Sequence, residues 1–288
     1  MRVIPPLNIT PEMLISTTAV ETAPTYAAGT TYALADYTVT GTVGQALTVW
    51  KSLQAANTGH TPSTSPTWWL NVGQTYAVYS TVVTYALGDR VIDTTTHLVW
   101  ESRIAGANLN QPLGQGTAWL KVGSTNKFAA FDQLRNTQVL QPIDIVQVIQ
   151  LTRRADAIAV IGLDGSSVRI EMKVAGVTKY DVTTNLVTRK TRTWKQYFYG
   201  EFGTSTSVQF FDLPSYRNAT ITVTVSKPST GQRGVGGIII GNAVYLGRTQ
   251  YEAVRENLNF TQINRDEQGD VEIIPRRTVP KMNAEVFF

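Results

Sequence analysis

The sequence of 288 residues contains no cysteine. Disulfides, thiolate catalysis and cysteine-ligated zinc are excluded at once. Two histidines, His60 and His97, are too few for a histidine-rich metal site, and no cofactor is expected. Charged residues reach only 16%, well below the usual quarter. Polar exposure must therefore come from Thr, Ser, Asn and Gln, which suits a β-rich protein whose Thr and aromatic side chains fit a pleated surface. Runs of like charge are missing too. Residues 1–124 carry five Lys/Arg against six Asp/Glu, and the remainder 20 against 15, so the net +4 divides into −1 and +5. A nucleic-acid binder concentrates Lys and Arg on one face or segment. No nucleic-acid partner is expected. The aliphatic block at 238–240, like every other apolar run, is far too short to cross a bilayer, and no membrane insertion is expected. The opening "MRVIPPLNITPEML" places two prolines where a signal peptide needs an unbroken apolar stretch, which points to a protein made and kept in the cytoplasm, or one that leaves only when the cell breaks.

What is present is a repeat. "YALADYTVTGTVGQALTVW" begins at Tyr32, and "YALGDRVIDTTTHLVW" begins at Tyr85. Each runs through a Pro-containing loop into "WWLNVG" (68–73) or "AWLKVG" (118–123). Tyr32, Ala33, Leu34 and Asp36 match Tyr85, Ala86, Leu87 and Asp89 at an offset of 53. Trp50, Ser52, Pro62, Trp69, Leu70, Val72 and Gly73 match Trp100, Ser102, Pro112, Trp119, Leu120, Val122 and Gly123 at an offset of 50. The three-residue difference falls in "TVTGTVG", read as a tight turn that tolerates insertion. Two copies are too few for a solenoid and read as two beads.

Around the repeats the texture differs. Thr10-Pro11-Glu12 has the chemistry of a short helical start, and "TTAVETAPTYAAGTT" reads as an arm. "TNKFAAFDQLRNTQ" reads as a connector. Beyond it, "IDIVQVIQL" and "AIAVIGL" are apolar on both faces, as central strands are. "VRIEMKV" and "ATITVTVSK" alternate, with Val168, Ile170, Met172 and Val174, and Ile221, Val223 and Val225, on the inner face. Turn clusters separate these runs at hairpin spacing. The expected fold is all-β: an arm over 1–25, small β modules over 26–74 and 75–124, and a larger β-sandwich over 125–288. The apolar finish "NAEVFF" is expected to pair rather than dangle.

The order Tyr-x-x-Gly-Asp, strand, aromatic, Pro-containing loop, Trp, Gly resembles the small chitin-binding-type carbohydrate modules attached to glycan-degrading enzymes. The second copy carries it through Tyr85, Gly88, Asp89, Trp100, Pro112 and Trp119; the first has Ala35 at the glycine position. With its flanks, "VIPPLNIT", "TNKFAAFD", "LGRTQYEAV" and "RDEQGDVEIIPRR", the chain is similar to a family of tailed-bacteriophage virion proteins of the tail or collar region. The resemblance implies carbohydrate-module-like repeats before a β-sandwich, in a protein resident in the virion and assembled in the host cytoplasm. Its implied partners are other virion subunits, further copies of itself in a symmetric homo-oligomer, and host cell-surface polysaccharide.

Sugars are held by exposed aromatic faces flanked by polar groups. A module of this size without disulfide or metal struggles to build a core, so Tyr32/Tyr85, Trp50/Trp100 and Trp69/Trp119 read first as core, and Asp36/Asp89 as turn holders. Neighbouring strand residues face opposite ways, so an inward Trp69 turns Trp68 outward, where the second copy has only Ala118. Tyr37, opposite Arg90, is a similar case. The candidate glycan-binding residues are Trp68, Tyr37, Trp50 and Trp100, the last two retained beside their core reading. His60 reads as a solvated loop residue. An enzyme is not expected. Asp270 and Glu272 read as a solvated hairpin rather than paired glycosidase carboxylates; "GQRGVGGIIIG" lacks the Lys-Ser/Thr of a phosphate loop; and two loop histidines support no catalytic triad. The expected function is a structural component of a tailed-phage particle. A free carbohydrate-binding protein or adhesin is the alternative, and a glycosidase a distant third.

Overall fold

Alternating Thr with Ile and Val along 219–226 gives a strand one face of which must be covered, and the neighbouring strands repeat that demand. In the computed structural model these strands stack as a β-sandwich. The structure describes all residues except Met1, Arg135, 189–192, 201–202, 229–230, 250–253, 266–270, 275, 277, 284–285 and Phe288. One antiparallel sheet has the order Val177–Asn185, Ser167–Val174, Thr220–Ser226, Ile145–Gln150, Leu14–Thr17. A second places Ala157–Ile161 between Ser207–Phe210 and Gly237–Gly241. Ile145, Ile149, Val168, Ile170, Met172, Ile221, Val223 and Val225 from the first sheet meet Ile158, Val160, Ile238 and Ile240 from the second in one core. The chain is all-β. Helical structure among the described residues is a single turn at Pro11–Met13 and one helix, Trp194–Tyr199.

Two expectations change in detail. Ala157 to Val160 are buried on both faces, as a central strand should be, but Ile145–Gln150 alternates: Ile145, Gln147 and Ile149 are buried while Val146, Val148 and Gln150 are half-covered. The residues read as an arm are not a free arm. Leu14–Thr17 pairs with Ile145–Gln150, and Ile9, Met13, Leu14 and Ala19 enter the sandwich core. The Leu7 N–H also donates to the Ile240 carbonyl at 2.7 Å. The reason is an edge. Without Leu14–Thr17, the backbone groups of Ile145–Gln150 would face water along one side, and an uncovered edge invites foreign pairing.

Residues 6–242 form one compact unit, and residues 1–5 with 243–288 form another. Within the second, Arg2–Val3 pairs with Val244–Tyr245, and Val254–Asn259 pairs with Thr278–Asn283. Gln262–Arg265 pairs with Val271–Ile274, and Arg248–Thr249 with Val286–Phe287. The chain's last described residues therefore pair. Asp270 lies outside the described residues, so the Asp270–Glu272 pair does too; the backbone of Glu272 belongs to Val271–Ile274.

The repeats adopt the same fold. In the first, Tyr37–Thr40, Leu47–Ser52 and Trp69–Thr75 form a three-stranded antiparallel sheet. In the second, Arg90–Asp93, Leu98–Ser102 and Trp119–Ser124 do the same, with Ala77–Val78 added in parallel at the edge. The registers coincide: Thr38↔Trp50 and Ser52↔Trp69 in one, Val91↔Trp100 and Ser102↔Trp119 in the other. Both central strands carry a register shift at the same place, Val49/Trp50 and Val99/Trp100. Even the parallel edge has its counterpart, a bridge between Thr25 and Val39.

Because Leu14 is buried at the sandwich edge, Leu14→Ala should destabilise the protein by about 2–4 kcal/mol. Chemical denaturation followed by circular dichroism measures this. Unchanged stability would mean that the strand is dispensable to the core.

Candidate functional site

Each module is organised by three rings. Trp69 and Tyr32 are buried and meet edge to face at 5.0 Å between centroids. Tyr26 stacks on Tyr32 at 5.9 Å and meets Trp69 edge-on at 6.1 Å. The second module repeats the triangle with Tyr79, Tyr85 and Trp119 at 6.1, 5.6 and 5.3 Å. Tyr26 and Tyr79 went unmatched in the sequence, although they too stand 53 residues apart. The signal was a lone Tyr six residues ahead of Tyr32 and of Tyr85, with little repeated between. Burial pushes the Tyr85 phenol pKa up.

The polar tips of the buried rings pin loops. Trp69 Nε1 donates to the His60 carbonyl at 2.7 Å, and Trp119 Nε1 to the Gln111 carbonyl at 2.9 Å. The hydroxyl oxygens of Tyr32 and Tyr85 accept the N–H of Ala27 and Ser80, both at 2.9 Å. Asp36 and Asp89 hold their turns as expected, accepting the N–H of Ala33 at 2.7 Å and of Ala86 at 2.8 Å. A second repeated element escaped the sequence reading. Buried Asn57 and Asn108 donate from Nδ2 to Ser52 Oγ at 3.1 Å and Ser102 Oγ at 3.0 Å, and each exchanges backbone bonds with Tyr32 or Tyr85.

Against this frame the candidate glycan residues separate. Trp69 points inward, and Trp68 is half-buried, its indole stacked on the His60 ring at 3.8 Å and 14°. His60 is thus half-buried and partnered, not a solvated loop residue. The second copy has buried Ala118 and exposed Asn110 at these places, and no such stack. Tyr37 is half-buried beside the first module's core, with Lys51 Nζ 5.8 Å from its ring centre. Burial pushes its phenol pKa up. Trp50 is half-buried and donates to Thr40 Oγ1 at 2.9 Å. Trp100 packs with the second module's core, its Nε1 buried without a protein acceptor. The structure therefore does not bring the four together. Trp68 pairs with His60; Tyr37 and Trp50 serve the first sheet; Trp100 belongs to the second.

The modules are fused rather than separate beads, and the three-residue insertion does the fusing. Arg90 N–H donates to the Gly44 carbonyl at 2.8 Å, and Gln45 Nε2 to Asp89 Oδ1 at 3.3 Å. Gly44 is required here. It has φ +92°, and a Cβ on it would lie 2.5 Å from Asp89 Cγ. The seam leaves a cleft of about 170 Å³ lined by Thr22, Val39, Val43, Leu47, Tyr76 and Val78 among others. It is smaller than ordinary ligand pockets, and no wall residue is ionisable except Tyr76.

His97 is not a loop residue in solvent either. It is buried, with Nδ1 2.8 Å from Glu21 Oε2 and its ring stacked on Phe128 at 5.4 Å. Lys127 Nζ stands 3.7 Å from the same carboxylate oxygen. Thr75 Oγ1 donates to the Glu21 carbonyl. The cluster joins the residues before the repeats, the turn of the second module and the start of the sandwich.

Ala35 sits at φ 72° where the second copy has Gly88 at φ 85°. A side chain in this left-handed region costs about 1–2 kcal/mol, offset partly by glycine's greater freedom when unfolded. Ala35→Gly should therefore stabilise the protein by about 0.5–1 kcal/mol in denaturant melts. Gly44→Ala should cost about 1–3 kcal/mol, because the Asp89 contact must shift. A stable Gly44→Ala variant would show that the seam is soft.

No family model and no curated protein matches the chain. Seven chains of solved structures match. One is an F5/8 type C domain of a protein from Bacteroides fragilis, 14% identical, with a TM-score of 0.27, covering 40% of this chain and 80% of that one.

Proposed function

We propose that the chain is a structural component of a tailed-phage particle, in the tail or collar region, and that its first repeat offers host-surface glycan a platform at Trp68. The order of the flanking segments supports the particle assignment by resemblance. Residues 243–288 add a physical consideration. The strand pairs there are two-stranded, and Val254, Leu258 and Phe260 are exposed. Isolated two-stranded ribbons are marginal in water, so a neighbouring subunit is the natural cover. Further copies of this chain in a symmetric assembly, or other virion subunits, supply it.

The observation that carries the glycan part is the Trp68–His60 stack, present in one copy and replaced by Ala118 and Asn110 in the other. His60 fixes the indole from one side, so the ring needs no ordering when a sugar arrives. The loop around it, "TGHTPSTSPT" over 58–67, is rich in hydroxyls that can meet those of a sugar. The stacked rings of Trp68 and His60 are not members of the core triangle, although Trp69 holds the His60 carbonyl.

Trp68→Ala should leave the melting temperature within a few degrees and weaken glycan binding by about 1–3 kcal/mol, the scale of aromatic stacking on bases. A glycan array probed with the full chain and the variant reads this directly. Immunogold labelling of intact particles tests the virion assignment separately. Equal binding by both proteins would remove Trp68 from the site, and particles that never label would remove the chain from the virion.

A further inference from the structure

The Trp68–His60 stack stands on a surface without charged side chains. Residues 53–68, "LQAANTGHTPSTSPTW", hold no Lys, Arg, Asp or Glu. Residues 26–35, "YAAGTTYALA", hold none either, and they pack against the first set. Tyr32 and Asn57 exchange backbone bonds at 3.0 Å, Gly59 N–H donates to the Ala28 carbonyl at 3.1 Å, and Thr58 Oγ1 donates to Thr31 Oγ1 at 2.7 Å. At the chain-wide 16%, these 26 positions would carry about four charged residues.

The loop is also pinned. The N–H groups of Trp68 and Trp69 both donate to the Ser65 carbonyl at 3.0 Å, and Thr64 N–H donates to the Thr61 carbonyl at 3.2 Å. Gln54 Nε2 donates to the Thr67 carbonyl at 2.9 Å. Thr61, Ser63, Thr64 and Thr67 remain exposed, so the loop that carries the indole presents hydroxyls on a backbone that is already ordered.

The residue across the ladder decides the charge beside the ring. Ser52 pairs with Trp69, and the bond from Leu53 N–H to the Trp68 carbonyl, 2.9 Å, carries that register one step outward. Leu53 therefore lies opposite Trp68 and on the same face, 41% exposed. The second copy makes the same bond from Arg103 N–H to the Ala118 carbonyl at 2.8 Å. Its cation stands opposite an alanine, and the first copy's tryptophan stands opposite an aliphatic side chain. Acidic sugars, such as uronates and phosphorylated sugars, are held by charge-assisted bonds from Arg or Lys, and a carboxylate desolvated without such a partner is costly. A neutral sugar needs only a stacking face and hydroxyl partners.

This inference rests on the reading of Trp68 as a glycan platform. We propose that the ligand there is a neutral glycan, an uncharged polysaccharide with one sugar ring laid on the indole face that His60 leaves and bordered by Leu53. Because His60 covers one face of the indole, the contact is one-sided, as suits a polymer lying across the surface.

The test measures binding of the full chain to neutral polysaccharides (dextran, laminarin, mannan) and acidic ones (polygalacturonate, hyaluronate, polysialate). The neutral set should bind, and Trp68→Ala should weaken that binding about tenfold. Raising sodium chloride from about 50 to about 500 mM should change the affinity less than about twofold, since no ion pair is there to be screened. Leu53→Arg, which copies the second repeat, should gain salt-sensitive binding to the acidic set with an unchanged melting temperature. Trp68-dependent binding confined to the acidic set, or affinity that collapses with salt, would overturn the neutral assignment and leave the platform standing. A Leu53→Arg variant that gains nothing would overturn the placement of the ligand beside Leu53. Binding to no member, or equal binding by Trp68→Ala, would remove the platform itself and this inference with it.

Discussion

A module of some forty residues with no disulfide and no metal has little apolar surface to bury, and two such modules here meet that constraint in the same way. Three rings form a triangle, and the polar tips of its two buried rings are bonded to backbone groups in distant loops. A buried tryptophan must place its N–H somewhere. Trp69 and Trp119 place theirs on the loop that precedes their own strand, so the same side chain fills the core and fixes the loop. The position of Trp68 follows. It adjoins an inward residue, and the loop bearing its partner His60 is the one that Trp69 holds by its carbonyl.

The modules are not independent of what surrounds them. A turn with three extra residues became the seam between them, with Gly44 against Asp89 and Arg90. Glu21, His97 and Lys127 then tie the second module both to the segment before the repeats and to the start of the sandwich. Buried polar groups need partners, and this contact gives the Glu21 carboxylate and the His97 ring one across three segments. Residues 6–242 accordingly pack as one compact unit that includes Trp68.

The all-β class, the twofold repeat and the inner face of the sandwich were legible because period and composition carry them. Val168, Ile170 and Met172 alternate with Arg169, Glu171 and Lys173, and the burial follows that alternation. Trp69 could be assigned to the core from its repetition alone. What stayed hidden depended on distant partners. Leu14–Thr17 looks like an arm until Ile145–Gln150 supplies an edge for it to cover. Tyr26 and Tyr79 lack repeated neighbours, so only the closed triangle reveals them. The rings of 194–199 would be read as core by composition, since exposure is a property of what packs against a residue rather than of the residue itself.

The differences between the two copies carry more functional information than their agreement. Most of what is shared serves the fold: the ring triangle, the buried asparagines, the aspartates that hold their turns and the register shift. These are what any chain needs to fold this way, and they would persist in a spacer that binds nothing. The first copy differs in the Trp68–His60 stack and in the turn around Gly44, the second in Arg90 paired with Glu101 at 2.8 Å. Gly44 and Arg90 bond to each other, so those two differences are accounted for by fusion of the modules. The Trp68–His60 stack has no such account within the fold. A large ring that the second copy folds without is the physical reason for testing Trp68 first as a contact for a ligand.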